Sequence, residues 1–239
     1  MKKELYRQDN QLMQDAFDRI EVEIHLQKKN NGIQSLLLCG SEPRVGTTTI
    51  AIELAISMAE AGWKTVLIDA DIRKGTAYKR NAGSENANLV TYLEDKSDLK
   101  QVLIETNYKN MKYIFGGSGE GNTVSLLCSA KMQQLIKELK EEFDYIIFDA
   151  PSINSVVDAG VIGSLTDGTI IVTSQGSYKK QLSQAMEQLR HVGANILGVI
   201  MNKVEKAEYK RYMKNYNYFK DKKYVNKKYK ATVKKGEDN

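Results

Sequence analysis

Histidine, proline and cysteine are nearly absent: the 239-residue chain holds two of each. His25 and His191 give a zinc site or a histidine-centred triad almost no material, which excludes several enzyme classes at the outset. Cys39 and Cys128 have no second thiol or histidine at metal-ligand spacing. They fall in a predicted strand and at a predicted helix start, where buried structural thiols are expected. Long hydrophobic runs are missing as well. No apolar stretch approaches the roughly 18 residues of a spanning helix. The opening MKKELYRQDN lacks the apolar run of about 7 to 15 residues that a secretory signal carries. The expectation is a chain that is not exported and whose membrane contact is at most peripheral.

Acidic charge is short at one end only. Residues 203–239 hold 13 Lys/Arg against 5 Asp/Glu, a local +8, whereas the whole chain is +5 and the remainder therefore −3. A basic tail on a near-neutral body suits acidic partners such as nucleic acid, lipid headgroups or phosphate, or else is a solvated end. At 41% hydrophobic residues the chain can bury one sizeable core, with little left for a second domain.

What is present is periodic. Met13, Phe17, Ile20 and Ile24 draw one apolar stripe along a predicted helix of about residues 10–28. Strands are predicted at 34–39 (QSLLLC), 65–69 (TVLID), 111–115 (MKYIF), 144–149 (DYIIFD), 168–173 (GTIIVT) and 196–202 (ILGVIMN), most of them separated by helical stretches such as 48–61. This alternation predicts an α/β fold: a doubly wound, mostly parallel sheet with helices on both faces. Ligands of such sheets bind beyond the strands' carboxyl ends. Both prolines, Pro43 and Pro151, follow predicted strands there. The glycines of GGSGEG at 116–121 miss dinucleotide spacing, and no helix opens after them.

Three segments at those strand ends carry chemistry. The loop Gly40-Ser41-Glu42-Pro43-Arg44-Val45-Gly46-Thr47-Thr48-Thr49 stands between a strand and a helix, where backbone N–H groups and the helix dipole can hold phosphate. Thr48 is placed to put its hydroxyl on Mg²⁺. The strict phosphate-loop pattern fails, however: Thr47 stands at the lysine position and Arg44 at a usual glycine, so an ordinary strand-to-helix connection is the competing reading. In VLIDADIR (66–73), a strand ends in Asp69 and Asp71, and two carboxylates on one side can hold hydrated Mg²⁺ or accept a hydroxyl proton. In YIIFDAP (145–151), an apolar strand ends in Asp149, the form of a Walker B element. Three such signals in this order point to phosphate binding.

The chain here resembles the bacterial tyrosine kinases of the CapB/CpsD type, relatives of the MinD/ParA class of P-loop ATPases. The resemblance spans roughly residues 32–203 and rests on PRVGTTT, LIDADIRK and IIFDAPS, with Gly117, Asn122, Leu126, Leu127 and Ser129 resembling the family's connection before Walker B. It implies a P-loop fold binding ATP and Mg²⁺ through Pro43, Arg44, Val45, Gly46, Thr47, Thr48, Thr49 and Arg73. Thr48, Asp69 and Asp149 would hold the metal, with Asp69 as candidate base and Asp71 as its partner. Asn202 would meet adenine, or simply cap a strand end. Domain boundaries follow: 1–30, an amphipathic helix; 31–203, the nucleotide-binding domain; 204–239, the basic tail.

Tyr209, Tyr212, Tyr216, Tyr218, Tyr224 and Tyr229 crowd six of the 13 tyrosines into 21 residues. In the family such a cluster is the autophosphorylation target. Six phosphates at about −1.5 to −2 each would more than cancel the local +8. Lysine and tyrosine interleaved also suit single-stranded nucleic acid, a partner not expected here. The resemblance implies a kinase regulating capsular or exopolysaccharide synthesis, cytoplasmic and recruited to the inner face of the membrane by a membrane-bound activator of the polysaccharide co-polymerase kind. Thr47 leaves a second reading, an ATP-binding regulator without kinase activity, for which Arg44 would be a compensating cation. Asp18 and Glu21 stand at the two positions where the family's ring-forming helix carries arginine, so a different partner surface or a monomer is also open.

Overall fold

Six predicted strands, each short and apolar, lie side by side in one sheet of the computed structural model, which describes residues 2–6, 11–73, 87–119 and 123–214. In chain order the elements are β1 (Lys2–Lys3), α1 (Gln11–Asn31), β2 (Ser35–Gly40), α2 (Thr47–Glu60), β3 (Thr65–Asp69), α3 (Leu89–Leu93), α4 (Leu99–Val102), β4 (Ile104–Thr106), β5 (Met111–Ile114), α5 (Thr123–Leu127), α6 (Ala130–Glu142), β6 (Tyr145–Ala150), α7 (Asp158–Leu165), β7 (Gly168–Ser174), α8 (Lys179–His191), β8 (Ile196–Asn202) and α9 (Lys206–Lys214). The strands lie side by side as β1-β4-β5-β3-β6-β2-β7-β8. All neighbours from β5 to β8 are parallel, while β4 runs antiparallel to β5 and β1 parallel to β4.

Alternate side chains of the central strands feed two cores. Leu36, Leu38, Leu67, Tyr145 and Ile147 pack under α1 and α2 with Phe17, Ile24, Leu54 and Met58. Leu37, Val66, Ile68, Ile146 and Phe148 pack on the opposite face with side chains of α3, α6, α7 and α8. Covering both faces forces β2, β3 and β6 to be apolar throughout, and each is buried along nearly its whole length. The stripe of α1 meets this core as its spacing requires: Phe17 and Ile24 are buried, and Met13 and Ile20 pack against them.

Two thiols expected to be alike differ. Cys39 is buried in β2, and burial pushes its thiol up to about 12. Cys128 is exposed, because it falls between the end of α5 and Ser129, which caps α6 by accepting from the Met132 amide at 3.2 Å. The chain divides into two compact units, residues 1–202 and 203–239; of the second, α9 is described.

Candidate nucleotide site

The loop between β2 and α2 is shaped by what surrounds its glycines. Gly46, the residue before α2, has a left-handed φ of 94°, and a Cβ there would collide with the side-chain amide of Asn202. That amide donates to the Val45 carbonyl at 2.8 Å, so the last residue of β8 holds the loop backbone. Arg44 is left-handed too (φ 66°), at a cost of roughly 1 kcal/mol that glycine would not bear. The first helical bond is donated by Ile50 to the Gly46 carbonyl. The amides of Thr47, Thr48 and Thr49 therefore precede any intrahelical acceptor and sit at the positive end of the helix dipole. Thr48 and Thr49 are exposed, as are Pro43 and Arg44, while Val45 is buried. Thr47 turns back over the loop's base: a Cβ on Gly40 would lie 2.9 Å from its Oγ1.

Asp69 and Asp149 are register partners on the adjacent strands β3 and β6. Each lies two residues beyond a side chain of the α1/α2 core, Leu67 and Ile147, so alternation aims both carboxylates to the face that α2 covers. Asp149 is buried and Asp69 half-buried. The Asp69 carboxylate accepts from the Asp71 amide at 3.1 Å. β3 ends at Asp69, so its alternation does not extend to Asp71, which starts the following turn. Two residues on, the Arg73 guanidinium grips Asp158 with two bonds of 2.6 and 2.8 Å.

The charge pattern extends one strand further. Tyr113 on β5 is held well above the usual phenol range by burial and then by the Asp69 and Asp149 charges. Lys3 on β1 lies over the Tyr113 and Phe115 rings, 5.6 and 5.2 Å from their centroids. Burial lowers its ammonium, and the Asp69 charge opposes that shift. Asp69, Asp149 and the hydroxyl of Thr48 are all oxygen donors, the kind that suits Mg²⁺. Among the described residues no cluster of three His, Cys, Asp or Glu forms a complete metal cage. Such a set fits an ion that fills its shell with phosphate and water oxygens.

A family profile described as an AAA domain matches residues 42–205. Over 196 residues the chain is 35% identical to the tyrosine-protein kinase CpsD of Streptococcus agalactiae, covering 81% of this chain and 85% of that one. This chain belongs to the bacterial tyrosine-protein kinase family. Within that family the fold is shared with the kinase domain of the Escherichia coli tyrosine kinase ETK: TM-score 0.75, 28% identity, covering 81% of this chain and 76% of that one. The septum site-determining protein MinD of Pyrococcus horikoshii, in complex with Mg-ADP, shares the fold at TM-score 0.60 and 21% identity, over 74% of this chain and 73% of that one.

Against this kinase-family frame, β2, β6 and β3 bring the loop 43–49, Asp149 and Asp69 to one edge of the sheet, with Asn202 beside the loop. Sequence reasoning missed Lys3, Tyr113, Asn154 and Asp158. Asn154 donates to the Ser41 carbonyl at 2.7 Å and the Gln181 carbonyl at 2.9 Å, tying the loop's start to α8. The two residues after Pro151 that lead to Asn154 gave no periodic signal, and an acidic residue in the first turn of α7 does not by itself name Arg73, 85 residues away, as its partner. Of the tail tyrosines, Tyr209 and Tyr212 lie on α9; Tyr216, Tyr218, Tyr224 and Tyr229 lie outside the described residues, as does Asn122.

Proposed function

We propose that this protein is an ATP- and Mg²⁺-dependent protein-tyrosine kinase that phosphorylates its own tail and acts in capsular or exopolysaccharide synthesis. The observation that carries the reading is the register pairing of Asp69 with Asp149, beside a helix N-terminus held by Asn202. Amides of the loop 44–49 bind the phosphates, and Asn202 fixes the loop's shape while contacting adenine. Thr48, Asp149 and Asp69 hold Mg²⁺, which neutralises charge on the phosphates when bound. Asp71 and Arg73 keep the turn after β3 in place; the Asp71 amide fixes the Asp69 carboxylate. Asp69 takes the proton of the incoming tyrosine hydroxyl as the oxygen bonds to the terminal phosphorus. The bond from that phosphorus to the leaving ADP oxygen breaks in the same transfer.

Tyr209, Tyr212, Tyr216, Tyr218, Tyr224 and Tyr229 are the acceptors, and phosphate there reverses the tail's +8. No described helix is long and apolar enough to cross a membrane. In this reading a membrane-bound activator of the polysaccharide co-polymerase kind is the partner that brings the kinase to the inner face. The second reading, a nucleotide-binding regulator without transfer, is favoured by one observation: Thr47 lies over Gly40, and no lysine extends from the loop at its position. Incubation with labelled ATP and Mg²⁺, with and without the activator's cytoplasmic segment, separates the two. Label on tail tyrosines that falls at least about a hundredfold in Asp69→Asn supports the kinase. Nucleotide binding without label supports the regulator and ends the kinase reading.

A further inference from the structure

A reaction run on electrostatic stabilisation needs positive charge near the terminal phosphate, and Thr47 withdraws the lysine that a phosphate loop supplies there. The half-buried ammonium of Lys3 offers a replacement from outside the loop. It is carried to the site by β1, whose Lys3 pairs with Thr106 on β4. The strand is anchored just beyond: Leu5 is buried, its amide donates to Asn107 Oδ1 at 2.8 Å, and its carbonyl accepts from Asn107 Nδ2 at 2.8 Å. These bonds fix the residue that carries the amine rather than leaving it on a loose terminus.

The amine sits over the Tyr113 and Phe115 rings at the carboxyl end of β5. Neighbouring strands are about 4.8 Å apart, and β3 with Asp69 is the next strand toward the loop, followed by β6 with Asp149 and then β2. The order places the Lys3 rings and the phosphate loop on opposite flanks of the aspartate pair. Among the described residues Lys3 has no hydrogen-bond or ion-pair acceptor; its contacts are the two ring faces and the field of Asp69. An ammonium with three donors, kept partly out of water without an acceptor, is set to receive an anion. Arg44, the cation that the loop itself offers, is exposed by contrast.

We propose that Lys3 binds the terminal phosphate of the nucleotide from the β5 flank and so replaces the missing loop lysine. The inference rests on the nucleotide-binding part of the kinase reading. ADP lacks the group that Lys3 meets, so the residue discriminates ATP from ADP. A merely structural lysine would alter the two affinities alike.

The test uses the full chain with Mg²⁺ and calorimetric titration of ATP and of ADP. Lys3→Met and Lys3→Gln, which keep a stem over the rings, are expected to weaken ATP by about tenfold or more, the worth of a charged hydrogen bond, with ADP affinity changed less than about twofold. Lys3→Arg is expected to keep ATP affinity, and Thr47→Lys in the Lys3→Met background to restore it. Equal losses for ATP and ADP, or no loss, overturn the role of Lys3 and leave the kinase reading intact. A wild-type chain that binds ATP without labelling tyrosine ends the kinase reading, while the ATP-to-ADP ratio still decides Lys3. A wild-type chain that binds neither nucleotide ends both. Should both uncharged variants melt below the titration temperature, Thr47→Lys in the otherwise wild-type chain decides: a gain in ATP over ADP affinity of about tenfold or more means that the terminal phosphate had no cation and overturns the role of Lys3, whereas a gain below about twofold supports a site already charged.

Discussion

Asp158 is fully buried and keeps its carboxylate against the bidentate guanidinium of Arg73, whose side chain is 41% exposed. Removing one partner of a buried pair costs more than the pair contributes, because the remaining charge stays out of water. Arg73→Met is therefore expected to destabilise by about 2–3 kcal/mol. Asp158→Leu in the same background should recover part of that loss by removing the stranded charge, and urea unfolding curves of the three variants measure it. A double variant no better than Arg73→Met would show that the carboxylate is not the source of the cost. At this scale the sequence was legible where function writes itself into a short motif. Asp69, Asp149 and Gly46 were found because each ends a strand or opens a helix. Lys3 and Asp158 were not, since they reach the site from 66 and 89 positions away from Asp69 along the chain, and no local pattern encodes such a meeting.

Helix α1 shows how a family position can be reused. Glu21, at one of the two positions where the family's ring-forming helix carries arginine, is 4% exposed and accepts the indole N–H of Trp63 at 3.0 Å. Trp63 also stacks on His25 of the same helix at 4.6 Å, and His25 Nδ1 lies 3.1 Å from the Tyr145 hydroxyl. Lys28 adds a bond of 2.7 Å to the Asp144 carbonyl. Glu21 thus serves the chain's own core, whereas Asp18 is exposed. Glu21→Leu leaves the indole donor without this acceptor, at a cost of about 1–2 kcal/mol. Trp63 is the only tryptophan, so its emission reports this contact directly. The expected outcome is a red-shifted emission maximum in Glu21→Leu under native conditions and a wild-type-like maximum in Glu21→Gln. An unshifted spectrum in Glu21→Leu would mean that α1 stays docked by Phe17 and Ile24 alone. Elements with a long period were legible in sequence, as α1 and the six parallel strands β5, β3, β6, β2, β7 and β8 were. β1 and β4 were not, because two or three residues of mixed polarity hold no measurable period. β8 was predicted as a strand like the others, yet its Val199 and Met201, two residues apart and so on one face, are exposed, because that face of the last strand is not covered.

The whole sheet separates its two ends. The carboxyl ends gather the candidate site, and the amino ends are fastened by Asp167, which accepts from the Ser35 amide (2.8 Å), the Gln34 amide (3.0 Å), the Ser35 hydroxyl (2.9 Å) and Lys140 Nζ (2.6 Å). Its own carbonyl accepts from Asn195 at 2.8 Å, so one residue joins the start of β2, the end of α6 and the approach to β8. Burial pushes its carboxyl up, but the bonds from Lys140, Ser35 and Gln34 prevail and hold it below the usual range. A folded-state value below the unfolded one, near 3.9, means that the unfolded chain binds the proton first as pH falls. The stabilisation is therefore complete well above pH ~4 and is lost as pH drops through the folded value. Asp167→Asn removes this dependence. The gap in urea midpoint between wild type and Asp167→Asn is expected to be largest at neutral pH and to narrow below about pH 4. A gap that stays constant from neutral to acid would assign the effect to lost geometry rather than to the ionised carboxylate.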